Sequence, residues 1–371
     1  MKFSLCMIVK NEETVLSRCL DSVKDIFDEI IIADTGSVDS TKQIASNYTD
    51  KIYDYRWCND FSAARNFSFS KATGDYIMWL DADDILEEKD RLALISLKET
   101  ISFETDVVMM KYVTAFDNSG NPSFFYYRER LVKRMANFRW HGFVHEVITP
   151  SGNIVYEDIS VYHKPLLDKK RDPERNLKIY REMLSKGTVL SAREAYYYAR
   201  ELYYNGKYAD AALQLEKFLD NPLGWSADKI GASVILYQIY SEKNSVKARK
   251  FLSAALSFDS VNPQILCFMG DSLKNEGKIN QAVFWYNAAL MCPDEYKSSG
   301  FVMPEYERYY PLLQLCVCYD VLGEYDKAEE CNRLAGIEKP DSEQVLHNNK
   351  YFESLKSSKE EIFSLENEKK S

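Results

Sequence analysis

The segment Tyr76-Ile77-Met78-Trp79-Leu80-Asp81-Ala82-Asp83-Asp84 runs an apolar stretch straight into three carboxylates. Like charges set that closely repel one another unless a positive group sits among them. Hard divalent cations take oxygen ligands, and Mg2+ is commonly held by one or two carboxylates together with substrate phosphates. The alternative is a polar turn that ends a strand, with Asp84 capping the helix that follows. The position directly after a strand-like run favours a site. A second run, Ile30-Ile31-Ile32-Ala33-Asp34-Thr35-Gly36-Ser37-Val38-Asp39-Ser40-Thr41, puts Asp34 after another buried strand. Gly36 permits a tight turn, and Asp39 or Ser40 can cap the next helix. Turn chemistry accounts for those residues better than for Asp34, whose carboxylate suits the N–H of a nucleobase.

Arg65 offers paired donors suited to phosphate oxygens, with a surface helical arginine as the alternative. Of four histidines, His141, His145 and His163 fall in one short region, and Glu146 adjoins His145. A lone histidine is usually structural, but three near a carboxylate point to a site. His163 follows the strand-like Ile159–Tyr162 and could complete a metal shell with Asp81 and Asp83. Glu146 could serve as a general base.

These residues need elements to position them. Phe3–Val9, Glu29–Ala33, Lys51–Tyr55, Tyr76–Leu80 and Asp106–Lys111 read as strands, and Glu12–Val23, Asp39–Tyr48 and Phe61–Lys71 as helices. Alternation of this kind predicts βαβ units and a mainly parallel sheet, with ligands bound beyond the carboxyl ends of the strands. Residues 113–171 read as a connection, mixing strand-like runs with polar turns. From about Asp172 the pattern turns helical. Ala211, Ala248, Ala282 and Ala328 recur at spacings of 37, 34 and 46 residues, the last implying an insertion around Lys297–Tyr310. The best copy is Gly270, Gly277, Ala282, Tyr286, Ala289 and Pro293, a pattern resembling tetratricopeptide repeats. Small residues let helix pairs pack closely, and stacked pairs form a concave surface. The expected division is residues 1–171 for an α/β domain, 172–352 for an all-α repeat domain and 353–371 for a polar tail that frays.

A net charge of −10 argues against a general nucleic-acid binder. The apolar run at the N-terminus is too short for a signal peptide, and no run of roughly 18 apolar residues occurs. A cytoplasmic chain without an integral membrane segment is expected. The eight cysteines lie mostly in apolar runs and show no paired metal spacing.

Taken in order, Met7-Ile8-Val9-Lys10-Asn11-Glu12, Asp34-Thr35-Gly36-Ser37 and Asp81-Ala82-Asp83 resemble the motifs of the family 2 glycosyltransferases. The resemblance covers roughly residues 3–90. It implies a Rossmann-like nucleotide-diphospho-sugar fold. It also implies nucleobase contacts from Asp34 and the strand end near Val9, Asn11 and Glu12, and a Mg2+ or Mn2+ ion on Asp83, with Asp81 nearer the nucleotide. The segments Trp57–Asn66, Trp140–Glu146 and Val161–His163 are similar to those of repeat-bearing members, including the sublancin-type peptide S-glycosyltransferases. That narrower resemblance brings Asp60 and Arg65 to the nucleotide, and Arg65, His145 and Glu146 to the chemistry. The implied reaction is inverting transfer from a nucleotide-diphosphate sugar, a UDP-hexose, to an acceptor such as a peptide side chain. The pair of acidic residues that supplies the base in many family 2 enzymes has no copy after Asp83. If Glu146 does not replace it, the base is unidentified. The repeats are expected to hold a polypeptide acceptor, with bracing of the first domain or homodimer formation as alternatives. Two other functions compete: a catalytically inactive repeat scaffold, which intact Asp34, Arg65, Asp81 and Asp83 speak against, and a nucleotidyltransferase, which lacks its glycine-rich basic loop here.

Overall fold

The computed structural model of the chain describes residues 1–166, 172–258 and 261–368. It divides into two compact units, Met1–Trp225 and Ser226–Ser371. In the first, β1 (Phe3–Val9), β2 (Glu29–Asp34), β3 (Ile52–Asp54) and β4 (Tyr76–Trp79) are parallel and lie in the order β3-β2-β1-β4. Helices α1 (Leu16–Asp21), α2 (Thr41–Ala45) and α3 (Phe61–Phe69) connect them. Strands covered on both faces read as continuous apolar runs, as β1 and β4 do. The helix expected from Glu12 begins only at Leu16, because the amides of Val15 and Leu16 both bond the Glu12 carbonyl in a turn.

Beyond β4 come β5 (Asp84–Ile85), α4 (Glu88–Thr100), β6 (Val107–Phe116), β7 (Pro122–Lys133), β8 (Trp140–His141), β9 (Val147–Ile148) and β10 (Ile154–His163). The sheet continues β4-β7-β6-β10-β5, with β7 antiparallel to β4 and β6, β10 parallel to β6, and β5 antiparallel to β10. It is therefore mixed rather than mainly parallel. Two of its strands come from residues 113–171, the supposed connection. One face packs on Leu16, Leu20, Leu94 and Leu97 from α1 and α4. The other packs on Phe69 from α3 and on Trp79 and Trp140. Burying one indole contributes on the order of 4–6 kcal/mol, so these rings anchor that face.

Helices α5 (Arg175–Ser185), α6 (Ala192–Tyr204) and α7 (Tyr208–Leu219) complete this unit. Ser191 and Glu194 start α6 with a reciprocal capping box. The unit ends at Trp225, not at the change of periodicity near residue 171, because these helices bond into the α/β layer. Asn59 donates to Glu182 at 3.0 Å, Tyr180 to the Val144 carbonyl at 3.5 Å, and His145 Nε2 lies 2.7 Å from Glu201.

The second unit consists of α8 (Ser226–Tyr240), α9 (Ser245–Ala255), α10 (Pro263–Asn275), α11 (Ile279–Leu290), the short α12 (Tyr296–Ser299), α13 (Tyr309–Val321), α14 (Tyr325–Glu338) and α15 (Glu343–Glu368). The insertion read from the repeat spacing holds α12 and a 3-10 turn at Pro304–Tyr306. Gly270 lets α10 and α11 close up, since a Cβ there would lie 2.6 Å from the Tyr286 ring. Gly277 and Gly323 end α10 and α13 at φ +76°, where the following amides bond back to Leu273 and Tyr319. Residues from Glu353 continue α15 to Glu368, and residues 369–371 of the expected tail lie outside the described residues. Among the described residues no helix is long and apolar enough to cross a membrane.

The unit boundary can be tested by truncation. A chain ended at Trp225 is expected to melt cooperatively by circular dichroism. A chain ended at residue 170, which strips α5 and α6 from the Val144–His145 segment, should melt about 10 °C lower or precipitate. Equal melting of the two would move the boundary back to residue 171.

Candidate functional site

The carboxyl ends of β1, β2 and β4 lie side by side, and their loops are knitted together. Asn11 takes a left-handed turn at φ +54°, its amide donates to Ser37 Oγ at 3.0 Å, and its side-chain oxygen accepts from the Val38 amide at 2.9 Å. The Glu12 amide donates to Thr41 Oγ1 at 2.7 Å. The Val9 carbonyl accepts from the Thr35 amide at 2.9 Å, closing the β1 exit against that of β2. Asp34 Oδ1 accepts from the amides of Gly36 and Ser37 at 2.9 and 2.8 Å, a turn that requires the φ of +104° at Gly36. Asp34 Oδ2 is buried and has no hydrogen-bond partner. A buried carboxylate oxygen without a donor costs about 1–3 kcal/mol or more, so a ligand N–H placed here would recover that penalty.

At the exit of β4 the three carboxylates go separate ways. Asp81 Oδ1 accepts from Arg65 at 2.6 Å. Asp84 is fully buried in β5. Its Oδ2 accepts from Arg130 and from the Asp81 amide, both at 3.0 Å, and its Oδ1 accepts from Tyr112 at 3.0 Å. It caps no helix: α4 starts after Glu87. His163, at the end of β10, brings Nδ1 within 3.4 Å of Asp83 and 3.3 Å of Asp84. One ligand atom from each of Asp83, Asp84 and His163 lies within 4.8 Å of the others. Two carboxylate oxygens and an imidazole nitrogen suit Mn2+, and Mg2+ less well. Of the expected metal residues, Asp83 and His163 therefore meet, Asp84 joins them, and Asp81 is engaged by Arg65. Burial pushes the His163 imidazole down, but the Asp84 and Asp83 carboxylates outweigh it and raise its pKa.

Arg65 is itself buried. Its Nε donates to Glu146 at 2.6 Å, and its guanidinium lies 4.9 and 4.8 Å from the ring centres of Trp79 and Trp140. Burial alone would raise the Asp81 pKa, but Arg65 and then Arg130 reverse that and hold it at about 2. Asp60 is the N-cap of α3, accepting from the Ala63 amide at 2.9 Å. The three histidines do not converge. His141 is exposed on β8, His163 faces Asp83, and His145 stacks on Tyr197 at 4.4 Å while bonding Glu201. Burial lowers the His145 pKa even against Glu201.

Residues 4–151 match the glycosyl transferase family 2. Over those residues the chain is similar to family 2 glycosyl transferase domains. It is 28% identical over 254 residues to the SPbeta prophage-derived glycosyltransferase SunS of Bacillus subtilis, covering 64% of this chain and 58% of SunS. A TPR repeat-containing protein of Synechococcus elongatus is 54% identical over 83 residues, 22% of this chain and 21% of that protein. The chain thus spans between about a fifth and three fifths of the length of these relatives. The crystal structure of S. aureus TarS 1-349 in complex with UDP-GlcNAc gives a TM-score of 0.36 at 14% identity, over 92% of this chain and 93% of that one, a likeness too low to carry an inference.

Within the matched residues, sequence reading missed the arginines of β7. Val108 pairs with Leu131 and Met109 with Glu129, leaving Arg130 as the extra residue of a bulge. Arg128 and Arg130 both reach Trp79, with guanidinium carbons 4.9 and 3.8 Å from its ring centre. The visible signal was Arg128-Glu129-Arg130, a charged run between apolar residues of a strand.

Arg130 and Asp84 are both fully buried, so removing one strands the other's charge. Asp84→Ala is expected to cost about 3–5 kcal/mol in urea unfolding, with much of it restored by adding Arg130→Met. Simple additivity of the two losses would contradict this pairing.

Proposed function

We propose that the chain is a metal-dependent, inverting glycosyltransferase that uses a nucleotide-diphosphate sugar, a UDP-hexose in the simplest case. The observation that carries this reading is one arrangement. A buried carboxylate oxygen of Asp34 lacks a donor at the end of β2, and the Asp83, Asp84 and His163 cluster follows β4 across β1 in the same sheet. Asp34 would accept the N–H of the nucleobase, with Val9, Asn11 and Glu12 shaping that pocket. Asp83, Asp84 and His163 would hold Mn2+ or Mg2+, which when bound neutralises charge on the diphosphate. Asp81 sits between this cluster and Arg65, and Asp60 starts the helix that carries Arg65.

In this mechanism the acceptor atom attacks the anomeric carbon as the bond to the diphosphate oxygen breaks, and the electron pair leaves with the nucleotide diphosphate. Glu146 takes the acceptor proton, and Arg65 holds Glu146 in place through its Nε. A thiol acceptor, with an ordinary pKa of about 8.5, would ask less of that base than a hydroxyl. We favour a polypeptide acceptor on the helices that follow the α/β layer; on α6 Tyr196 and Tyr197 are buried, and the exposed Tyr204 supplies contact area together with a hydrogen-bonding tip. SunS, named as a glycosyltransferase, supports the general activity.

The direct test is a panel of nucleotide sugars with Mn2+ or Mg2+, reading free nucleotide diphosphate; EDTA should abolish the signal. Asp83→Ala is expected to weaken Mn2+-dependent binding of UDP by at least about tenfold in titration calorimetry while the protein stays folded. Unchanged metal-dependent affinity would remove Asp83 from the metal site. Asp34→Ala should raise the donor KM by about five- to twentyfold with kcat within about twofold, because a base contact is equal in ground and transition states. A fall in kcat at constant KM would contradict that role.

A further inference from the structure

The loop Gly142-Phe143-Val144-His145-Glu146 is captured from several sides. The Phe143 carbonyl accepts from the Phe61 amide of α3 at 3.0 Å. The Val144 carbonyl accepts from Tyr180 of α5 at 3.5 Å, and the His145 carbonyl from Arg193 of α6 at 3.3 Å. His145 then adopts φ +54°, a left-handed conformation that costs a residue other than glycine about 1–2 kcal/mol. Such a turn persists only where its surroundings over-determine it. Here the determinants are Glu201 Oε1, 2.7 Å from His145 Nε2, and the Tyr197 ring stacked at 24° on the imidazole. Glu201 is itself buried and steadied by Asn176 Nδ2 at 3.1 Å. Beyond that turn, Glu146 runs the other way, to Arg65.

We infer that Glu201, far along the chain on α6, is a positioning residue for the transferase site. It pins His145 in its left-handed turn and so fixes where Glu146 meets Arg65. This rests on the proposed role of Glu146. It gives the first helices of the helical run a part in the chemistry that needs no contact with donor or acceptor. A bond that merely tied α6 to the α/β layer would affect stability alone. A positioning bond must also alter the turnover step, because a misplacement of about 1 Å at the reacting groups costs on the order of a hundredfold.

The test uses the full chain with Glu201→Leu and Glu201→Gln. The readouts are hydrogen exchange of amides 142–147 and donor hydrolysis with Mn2+ and whichever nucleotide sugar the unaltered protein turns over. Glu201→Leu is expected to speed exchange across the loop and to lower kcat by about tenfold or more, with donor KM within about threefold. Glu201→Gln keeps an oxygen to accept from Nε2–H and should restore both towards the original. Unchanged loop exchange in Glu201→Leu, equal loss in both variants, or a rise confined to KM would each overturn the inference. If Glu201→Leu fails to fold, His145→Asn replaces it: asparagine tolerates the left-handed turn but is too short to hold Glu201. Failure of the unaltered protein to turn over any donor would defeat the transferase reading, while loop exchange would still decide whether Glu201 sets the turn.

Discussion

A guanidinium removed from water has to be met by charge and by polarisable surface, and Arg65 is where this molecule meets that requirement. Its two carboxylates come from distant parts of the chain: Asp81 from the end of β4 and Glu146 from the loop between β8 and β9. Its two indoles, Trp79 and Trp140, come from the same two regions. Satisfying one buried cation therefore fixes α3, β4 and the β8–β9 ribbon relative to one another. Breaking either ion pair would strand a charge, which is far costlier than losing an exposed pair. The candidate acid–base group and the carboxylate nearest the metal cluster are thus set by a single side chain.

The same logic governs the acidic cluster. Three carboxylates as close as those of Asp81, Asp83 and Asp84 repel one another unless nearby positive groups offset them. Arg130 supplies a buried charge from below, delivered by a one-residue bulge in β7, and His163 supplies a titratable donor from β10. Tyr112 ties the Asp84 carboxylate and the His163 ring together. The exit of β4 thereby becomes one connected cluster, with Asp83 beside the His163 ring. Opposite it, Asp34 keeps one satisfied and one unsatisfied oxygen. A fold that tolerates that deficit is prepared for a partner.

Much of this was readable from residue order. Continuous apolar runs ending in Asp34 and Asp81 identified the strands and the carboxylates at their ends, because a buried strand has to surface where its apolar run stops. Gly277, read as part of the repeat pattern, ends α10 because a residue without Cβ takes a left-handed cap at little cost. What stayed hidden involved pairing across the chain. The carboxylate run after β4 was legible, but the partner of Asp84 was not, because Arg130 lies 46 positions away. The sequence likewise does not show Glu201 of α6 beside His145. The first compact unit runs on to Trp225, past the change of periodicity, for the same reason: periodicity reports which face of a helix is apolar, not which neighbour covers it. Polar composition from Glu353 likewise does not reveal that the helix begun at Glu343 continues to Glu368.

Local sequence by itself determined the strand and helix types of the first hundred residues, the acidic strand ends, and the small-residue spacing of the repeats. Each of these follows from short-range sterics, capping and the period of apolar residues. Only tertiary structure decided which carboxylates share a ligand cluster, which histidine joins them, and which charges are buried against which. Burial changes the worth of a charge by several kcal/mol, and burial is a property of the whole fold rather than of any segment.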